Sequence, residues 1–178
     1  LSETFSNLVS STATSDLYVQ GPKIAGSGDD SSSQSVSTQP IDSSLADRIQ
    51  QIDGVETAKP GVQTSGVLVG ANDAPVANMG APTLFLSLYE KEPGLTWAQG
   101  HRPQGKGEIA LESGALKNSG LKVGDTTHIV LQGQPTEVTV VGEFHYESSM
   151  AAATVVGMDP DYLLPLAAPD GKVSSISI

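Results

Sequence analysis

Alternating and periodic hydrophobic positions predict a β-α-β unit near the start of the chain. Residues 16–21 (DLYVQG) alternate apolar and polar side chains and stop at a glycine, which is typical of a strand. Residues 41–60 predict a helix, which Gly54 would end in the left-handed conformation. Its predicted buried face consists of three apolar residues at helical spacing: Leu45, Ile49 and Ile52. The next predicted strand, residues 61–70 (GVQTSGVLVG), completes the unit.

A second set of elements, in the middle of the chain, predicts a small β-rich fold. Residues 107–131 (GEIALESGALKNSGLKVGDTTHIVL) indicate a strand, a short helix, a tight turn and another strand. Ser113 can cap the helix and Gly120 can end it. The last of these strands should pair with residues 136–144, whose side chains alternate between two faces, across a turn at 132–135. This pattern predicts the corner of a small β-barrel or sandwich.

The end of the chain predicts a strand, a helix and a final strand. Residues 153–171 indicate a strand followed by a helix, for which Asp159 is a good N-cap and Pro160 suits the first helical position. Residues 172–178 alternate and then end without a turn. Because Leu1 is not an initiator methionine either, we expect this chain to be a piece of a longer protein.

The composition indicates a globular chain with an aliphatic core. Of the 178 residues, 38% are hydrophobic but only 4% are aromatic, so Val, Leu, Ile and Ala must fill the interior. Residues 1–16 are rich in Ser and Thr and predict a frayed helix or arm. Residues 21–40 are dominated by Gly, Ser and Asp and bury too little apolar surface to offset their ordering entropy. They therefore predict a mobile loop.

Charge and cysteine content argue against several classes of function. The formal net charge is −11, whereas binding to nucleic acid depends largely on Lys and Arg that neutralise phosphates. Anionic lipid surfaces should also repel this chain. The absence of cysteine removes disulfides, thiolate catalysis and Cys-based zinc sites. No apolar run approaches the roughly 20 residues that span a bilayer. From the net charge we expect no nucleic-acid partner.

The candidate metal-binding and catalytic residues are each explained better by an ordinary structural role, such as a surface position, a solvated loop or a helix cap. Three histidines invite a metal-ligand interpretation but are typical of ordinary strand and loop surfaces: His101, His128 and His145. Asp29 and Asp30 lack the ligand spacing of a calcium loop. Asp159 and Asp161 suit the cap and the first turn of a helix. No glycine motif has the context of a nucleotide site, and no GxSxG is present. We predict no catalytic, cofactor-binding or metal-binding residues and no enzymatic activity.

The order of these segments resembles the extracytoplasmic (periplasmic core) domain of MacB-like and FtsX-like ABC transporter permeases. Residues 41–60 are similar to the family's helix that leads to a "GV" and a strand. Residues 95–130 are similar to its "EGR-P---GEIVL---A---GL-VGD" element, although Gly100-His101-Arg102 stands where the family often has Gly-Arg. Three further stretches match the strand and the return that follow: 139–144 (TVVGEF), 155–163 (VVGMDPDYL) and 171–178 (GKVSSISI).

The resemblance implies an α+β fold of two lobes. A β-α-β, porter-like lobe would comprise residues 1–72 and 151–178, and a small β-rich, sabre-like lobe would be inserted as residues 73–150. Four segments would then share the sheet of the first lobe: residues 16–20, 61–69, 153–156 and 173–178. The predicted mobile loop, residues 21–40, would belong to the same lobe.

The resemblance also implies a location and a set of partners. The domain would lie on the extracytoplasmic side of a bacterial cell membrane, as part of an integral membrane protein. There it would transmit ATP-driven conformational change and contact substrate or partner outside the membrane. The implied partners are a cytoplasmic ATPase subunit, a second permease copy in a homodimer, and an extracytoplasmic protein or peptide.

Two other classes of function remain open from the sequence. A barrel-like lobe could be the accessory domain of a hydrolase or transferase, but the chain offers no acid–base pair for that role. A secreted or surface-attached binding or adhesion module would use the acidic 21–40 loop and the region of Trp97. If the gene encodes apolar helices directly before and after this chain, the permease hypothesis is favoured. A cleavable signal peptide and free secretion would favour the binding module.

Overall fold

The computed structural model describes residues 17–22, 38–76, 83–92, 94–146 and 153–178. The chain divides into two compact units, of which the first lies within Leu1–Val62 and Ala168–Ile178 and the second is Gln63–Ala167. The described residues form a strand-rich mixture of helices and strands, in agreement with the predicted α+β composition. The predicted arm at residues 1–16 and most of the predicted loop, residues 23–37, lie outside the described residues.

Short elements make up the described part of the chain. In order they are β1 (Tyr18–Gln20), β2 (Ile41–Asp42), α1 (Leu45–Gln50), β3 (Lys59–Gly61), β4 (Gln63–Leu68), β5 (Thr83–Ser87), β6 (Leu95–Gly100), β7 (Glu108–Glu112), α2 (Ser113–Ser119), β8 (Thr126–Leu131), β9 (Gln134–Tyr146), β10 (Thr154–Met158), α3 (Pro160–Ala167), β11 (Lys172–Val173) and β12 (Ser175–Ser177). Only β9, with 13 residues, is longer than six residues among these strands.

The first unit is built around a three-stranded sheet in the order β1-β12-β3. Strand β12 is antiparallel to both neighbours, so that the fully buried Ile176 lies opposite Val19 on one side and Pro60 on the other. Strands β1 and β3 therefore run in the same direction, and α1 lies between them in the chain. A strand, a helix and a parallel strand thus occur in the predicted order, but β12 lies between the two strands and the second strand is β3 (Lys59–Gly61), which shares only Gly61 with the predicted 61–70 strand. Strands β2 and β11 form a separate antiparallel pair.

Helix α1 ends earlier than predicted. Its last residue is Gln50, and Gly54 adopts the expected positive φ, 92°, in the turn beyond the helix rather than at the helix end. At the helix start the Ser44 side chain makes no capping bond. Instead, the main-chain N–H and the side-chain Oγ of Ser44 both donate to Asp42 Oδ1, at 2.9 and 2.6 Å. These bonds from Ser44 lower the pKa of Asp42, and the charge of Lys172 lowers it further.

The buried face of α1 differs from the predicted one. Ala46 is the buried residue of the helix, with 4% of its surface exposed. Leu45 and Ile49 are half-buried. Ile52 is 58% exposed, because it lies in the turn after the helix and no longer follows the helical repeat. The prediction that Ile52 packs inside is therefore wrong.

Substitutions at Ile52 and Ala46 should distinguish the predicted buried face of α1 from the observed one. Ile52→Ala is expected to change the free energy of unfolding by no more than about 0.5 kcal/mol, as is usual for an exposed side chain. Ala46→Leu should lower it by about 1–3 kcal/mol, because extra methylenes must fit at a buried position. Urea denaturation followed by circular dichroism measures both values. A larger loss in Ile52→Ala than in Ala46→Leu would restore the face predicted from the sequence.

The second unit is a small closed β-barrel. Six of its strands follow one another as β9-β7-β10-β5-β4-β8, and β8 pairs again with β9, which closes the ring. The length of β9 makes this possible. One of its edges pairs with β8 along residues 134–139 and then with β6 along residues 142–146, while residues 139–144 pair with β7. Strand β6 is thus attached to the ring through β9.

One predicted strand is divided between the two units. Residues 61–70 were expected to form a single strand of the first sheet. Instead β3 ends at Gly61 beside β12, and β4 begins at Gln63 and pairs with β5 and β8 in the barrel. The break falls at the buried Val62. The expectation that the whole segment shares one sheet is therefore wrong beyond Gly61.

Strand β10 also belongs to the barrel rather than to the first sheet. It contains most of the segment 153–156 and pairs in parallel with β5 and antiparallel with β7. These pairings, and not a return to the first sheet, give it its neighbours. The compact units consequently change at residues 62/63 and 167/168, whereas the sequence placed these changes at 72/73 and 150/151.

The hairpin of β8 and β9 is confirmed, with a tighter turn than predicted. Leu131 lies opposite Gln134, so only Gln132 and Gly133 connect the strands. Both residues have positive φ, 50° and 75°, as a two-residue turn requires if it is to match the twist of the strands. Val138 and the other inward residues of β9 are buried, in keeping with the predicted alternation.

Helix α2 lies where it was predicted but has a different cap. The carboxylate of Glu112, rather than the hydroxyl of Ser113, accepts from Gly114 N at 2.7 Å and from Ala115 N at 3.3 Å. Gly120 ends the helix with a φ of 69°, as predicted. A charged acceptor at a helix start also interacts favourably with the helix dipole.

Candidate functional site

The loop of residues 101–107, which joins β6 to β7, is fixed to β9 at both ends. His101 N donates to Val141 O at 3.0 Å, and Gly107 O accepts from Thr139 N at 2.8 Å. This segment, called here the 101–107 loop, lies within the stretch whose pattern carries the family resemblance. Its ends cannot move without breaking main-chain bonds to the longest strand of the barrel.

The middle of the 101–107 loop is held by side chains. The guanidinium of Arg102 is directed at a main-chain carbonyl, with Nη1 donating to Leu88 O at 3.3 Å. Pro103 is buried, and Gln104 N donates to the carboxylate of Glu108 at 2.9 Å. The Arg102 side chain therefore links the loop to Leu88, the residue that follows β5.

Asp159 links the 101–107 loop to helix α3. Its Oδ2 accepts from Gly105 N, and its Oδ1 accepts from Asp161 N at 3.0 Å. Its main-chain oxygen accepts from Leu163 N at 2.9 Å, which begins the helix. Asp159 is only 9% exposed. The predicted N-cap is thus confirmed, and the same carboxylate also anchors a loop 54 residues away.

A tyrosine in an acidic environment lies close to this region. Burial raises the pKa of Tyr89, and the negative charges of Glu92 and Asp161 raise it further. The main-chain N–H of Tyr89 donates to Glu92 Oε1 at 2.9 Å. The phenol is consequently neutral at physiological pH, so it can donate a hydrogen bond but is a poor nucleophile.

The Tyr89 phenol should make the stability of the barrel sensitive to high pH. Because its pKa is higher in the folded than in the unfolded state, its contribution is complete below the unfolded pKa of about 10 and is lost as the pH rises further. The stability of the wild type should therefore fall more steeply than that of Tyr89→Phe between about pH 9 and pH 12. Urea melts of both proteins across this range measure the difference, and parallel curves would contradict it.

The three histidines do not converge on one site. His128 is exposed on β8 opposite Glu137, and His145 is exposed near the other end of β9. Eight residues of extended strand, roughly 26 Å, separate Glu137 from His145. In the 101–107 loop, His101 Nδ1 lies 2.9 Å from Arg102 O. Within the described ranges, no three His, Cys, Asp or Glu side chains are grouped so as to hold a metal ion.

The other candidates named from the sequence are placed as follows. Asp29 and Asp30 lie outside the described residues. Asp161 lies in the first turn of α3, as expected for a favourable charge near the helix start. Trp97 is half-buried, and its ring meets that of Phe144 edge to face with centroids 5.9 Å apart. Its ring is thus part of the packing of the barrel.

Sequence reasoning missed the residues that hold the 101–107 loop. Asp159 carried a sequence signal for its capping role, an acidic residue before a proline, but no local pattern links it to Gly105. Arg102 was noted only as a departure from the family pattern. Glu112 is not among the residue types that commonly cap a helix, so the sequence favoured Ser113 and carried no signal for Glu112.

Several solved structures share this fold, and three of them are as follows. The periplasmic region of MacB from Actinobacillus actinomycetemcomitans matches with a TM-score of 0.62 and 19% identity, over 89% of this chain and 71% of that one. The extracellular domain of the noncanonic ABC-type transporter YknZ from Gram-positive bacteria matches with 0.55 and 13%, over 78% and 72%. A domain described as part of a permease protein from Porphyromonas gingivalis matches with 0.55 and 14%, over 77% and 66%.

The comparisons establish the fold of the chain. At 13–19% identity, the similarity is one of architecture. No protein-family model matches the sequence, and no curated protein matches it significantly. No helix in the described part of the chain is both long and apolar enough to cross a membrane.

Proposed function

We propose that this chain is the extracytoplasmic domain of an ABC transporter permease subunit. The observation that carries the proposal is the shared fold: three domains described as parts of MacB, of an ABC-type transporter and of a permease each match at least 77% of this chain. The ordered family-like segments of the sequence support it independently, because they were identified from residues alone. Fold does not determine function by itself, so the proposal rests on both observations together.

The mechanical role is supported by what the polar residues do. Asp159, Arg102 and Glu112 bind main-chain groups and hold a loop or a helix start. Each interaction restrains a loop or a helix start of the barrel, and none of these three side chains is placed as a nucleophile beside a base. We therefore assign no catalysis to this chain. It would transmit movement, while ATP hydrolysis belongs to a separate cytoplasmic subunit.

The proposed partners follow from this role. A cytoplasmic ATPase subunit would act through membrane helices of the same permease, and a second permease copy would complete the transporter. An extracytoplasmic protein or peptide would contact this domain. The net charge of −11 favours partners that present basic surfaces over nucleic acid or anionic lipid.

Labelling of single cysteines tests the location, since the chain contains no cysteine. In the full-length gene product, the exposed Asn118→Cys should react with a membrane-impermeant maleimide in intact cells or spheroplasts. Ala115→Cys, at a position only 1% exposed on the same helix, should react only after denaturation. The labelled protein should remain in the membrane fraction and purify together with an ATPase subunit.

The same experiment distinguishes the alternatives. Labelling of Asn118→Cys only after cell lysis would place the domain in the cytoplasm and end the proposal. Labelled protein recovered from the medium, or released without detergent and without an ATPase partner, would instead favour a secreted or surface-attached binding module.

A further inference from the structure

The sequence contains two Asp-Gly pairs, and the structure treats them differently. Asp53 and Gly54 are both exposed in the turn after α1. Neither the Asp53 carboxylate nor the Gly54 N–H makes a hydrogen bond to another described residue. A Cβ placed on Gly54 would have no atom within 4 Å. This pair is therefore free of the contacts that would hold the two groups apart.

The second pair, Asp170 and Gly171, is restrained on both sides. Gly171 N donates to Ala168 O at 2.9 Å, so the amide is already engaged. Asp170 Oδ1 accepts from Lys172 N at 3.2 Å. Gly171 O accepts from Ser43 N at 2.8 Å, which fixes the peptide plane. The chain thus contains one Asp-Gly pair without such hydrogen bonds, at 53–54, and one that is restrained by them, at 170–171.

We infer that Asp53 is a site of spontaneous isoaspartate formation in the folded protein and that Asp170 is protected. The amide nitrogen of Gly54 attacks Cγ of the protonated Asp53 carboxyl group. A C–N bond forms, the C–OH bond breaks, and the amide proton leaves with the hydroxyl as water. Glycine permits this attack because no side chain obstructs the approach of its nitrogen. The product is a five-membered succinimide.

Hydrolysis of the succinimide completes the modification. Water adds to one of the two ring carbonyls, and one C–N bond breaks. Cleavage at Cγ restores aspartate, whereas cleavage at the main-chain carbonyl carbon leaves the chain running through Cβ and Cγ. No oxidant, reductant or enzyme is required, and the final mass equals that of the starting protein.

The modification should act on the turn itself. Val55 N donates to Ile52 O at 3.1 Å across this turn, and Gly54 holds a φ of 92° within it. Isoaspartate inserts one additional methylene into the main chain between these two partners. The Ile52–Val55 bond should consequently be lost, and with it the fixed path from α1 towards β3. The inference is independent of the proposed transport function.

Ageing of the purified chain tests the inference. The wild-type protein is incubated at mildly acidic pH, both folded and in urea, and isoaspartate is quantified at each site by peptide mapping with electron-transfer fragmentation. We expect the rate at Asp53 to be within about twofold of its rate in urea, and the rate at Asp170 to be reduced at least about tenfold by folding, because its two hydrogen bonds must open first.

Two matched variants show which aspartate gives rise to the isoaspartate. Asp53→Glu should abolish the isoaspartate formed in the folded protein, since a six-membered ring closes far more slowly, whereas Asp170→Glu should leave it unchanged. Equal protection of both sites by folding, or modification mainly at Asp170, would overturn the inference. A succinimide peak at Asp53, lighter by one water, would support it directly.

Discussion

Replacement of Phe144 by alanine is expected to lower the free energy of unfolding of the barrel by about 3–5 kcal/mol. Phe144 is fully buried on β9, and its ring meets two other aromatic rings edge to face: Trp97 at 5.9 Å and Tyr146 at 5.7 Å between centroids. Three further buried residues share its cluster: Leu88, Ala110 and Val155. Because they are held on different segments of the barrel, we expect them to fill only part of the cavity that the missing ring would leave.

The barrel offers its own probe and control for this measurement. Trp97 is the only tryptophan of the chain and contacts Phe144, so its fluorescence follows the unfolding of the barrel in urea. His145→Ala removes the next side chain of β9, which is exposed, and should cost no more than about 0.5 kcal/mol. Similar losses in the two variants would show that the aromatic cluster is not central to the stability of the barrel.

The segment 107–131 could be predicted because its signals are local. Gly120 has no side chain to oppose the left-handed conformation that ends α2, and Asp125 accepts from Lys122 N at 2.9 Å in the following turn. The strands on either side alternate or carry continuous apolar residues. Each boundary therefore depends on residues only a few positions apart, which a sequence displays directly.

The position of β10 could not be predicted, because its pattern carries no information on its neighbours. All five of its residues are buried, so the strand shows no alternation that would mark one face. Gly157 also allows a close approach, since a Cβ there would collide with Leu88. Such a strand fits the interior of any sheet, so its place between β5 and β7 depends on tertiary contacts that its own residues do not display.

The prediction of a single strand at residues 61–70 failed for a related reason. Both β3 and β4 are extended and their residues follow one another almost without interruption, so the sequence indicates a single strand. The change of sheet at Val62 is a tertiary event. At the candidate site, likewise, Asp159 could be predicted as a cap from its neighbours, whereas its bond to Gly105 depends on how β6, β7 and β10 are brought together.

Asp159→Ala should have the second large effect, a loss of about 2–4 kcal/mol in the free energy of unfolding of the barrel. Loss of a helix N-cap typically costs about 0.5–2 kcal/mol. Removal of the carboxylate that accepts from Gly105 N also loses a hydrogen bond to a charged group, which is worth about 1.5–3 kcal/mol. Asp159→Asn keeps one acceptor oxygen and should lie between the wild type and the alanine variant.

A protease separates release of the 101–107 loop from general destabilisation. Lys106 is exposed in this loop and next to Gly105, so trypsin should cut after it at least about fivefold faster in Asp159→Ala once the loop opens more often. Lys117 and Lys122, exposed on α2 and in the turn that follows, lie outside the loop and report on the barrel as a whole. Equal acceleration at all three lysines would mean that Asp159 stabilises the barrel generally. Selective acceleration at Lys106 is the outcome expected of a carboxylate that holds one loop against the start of α3.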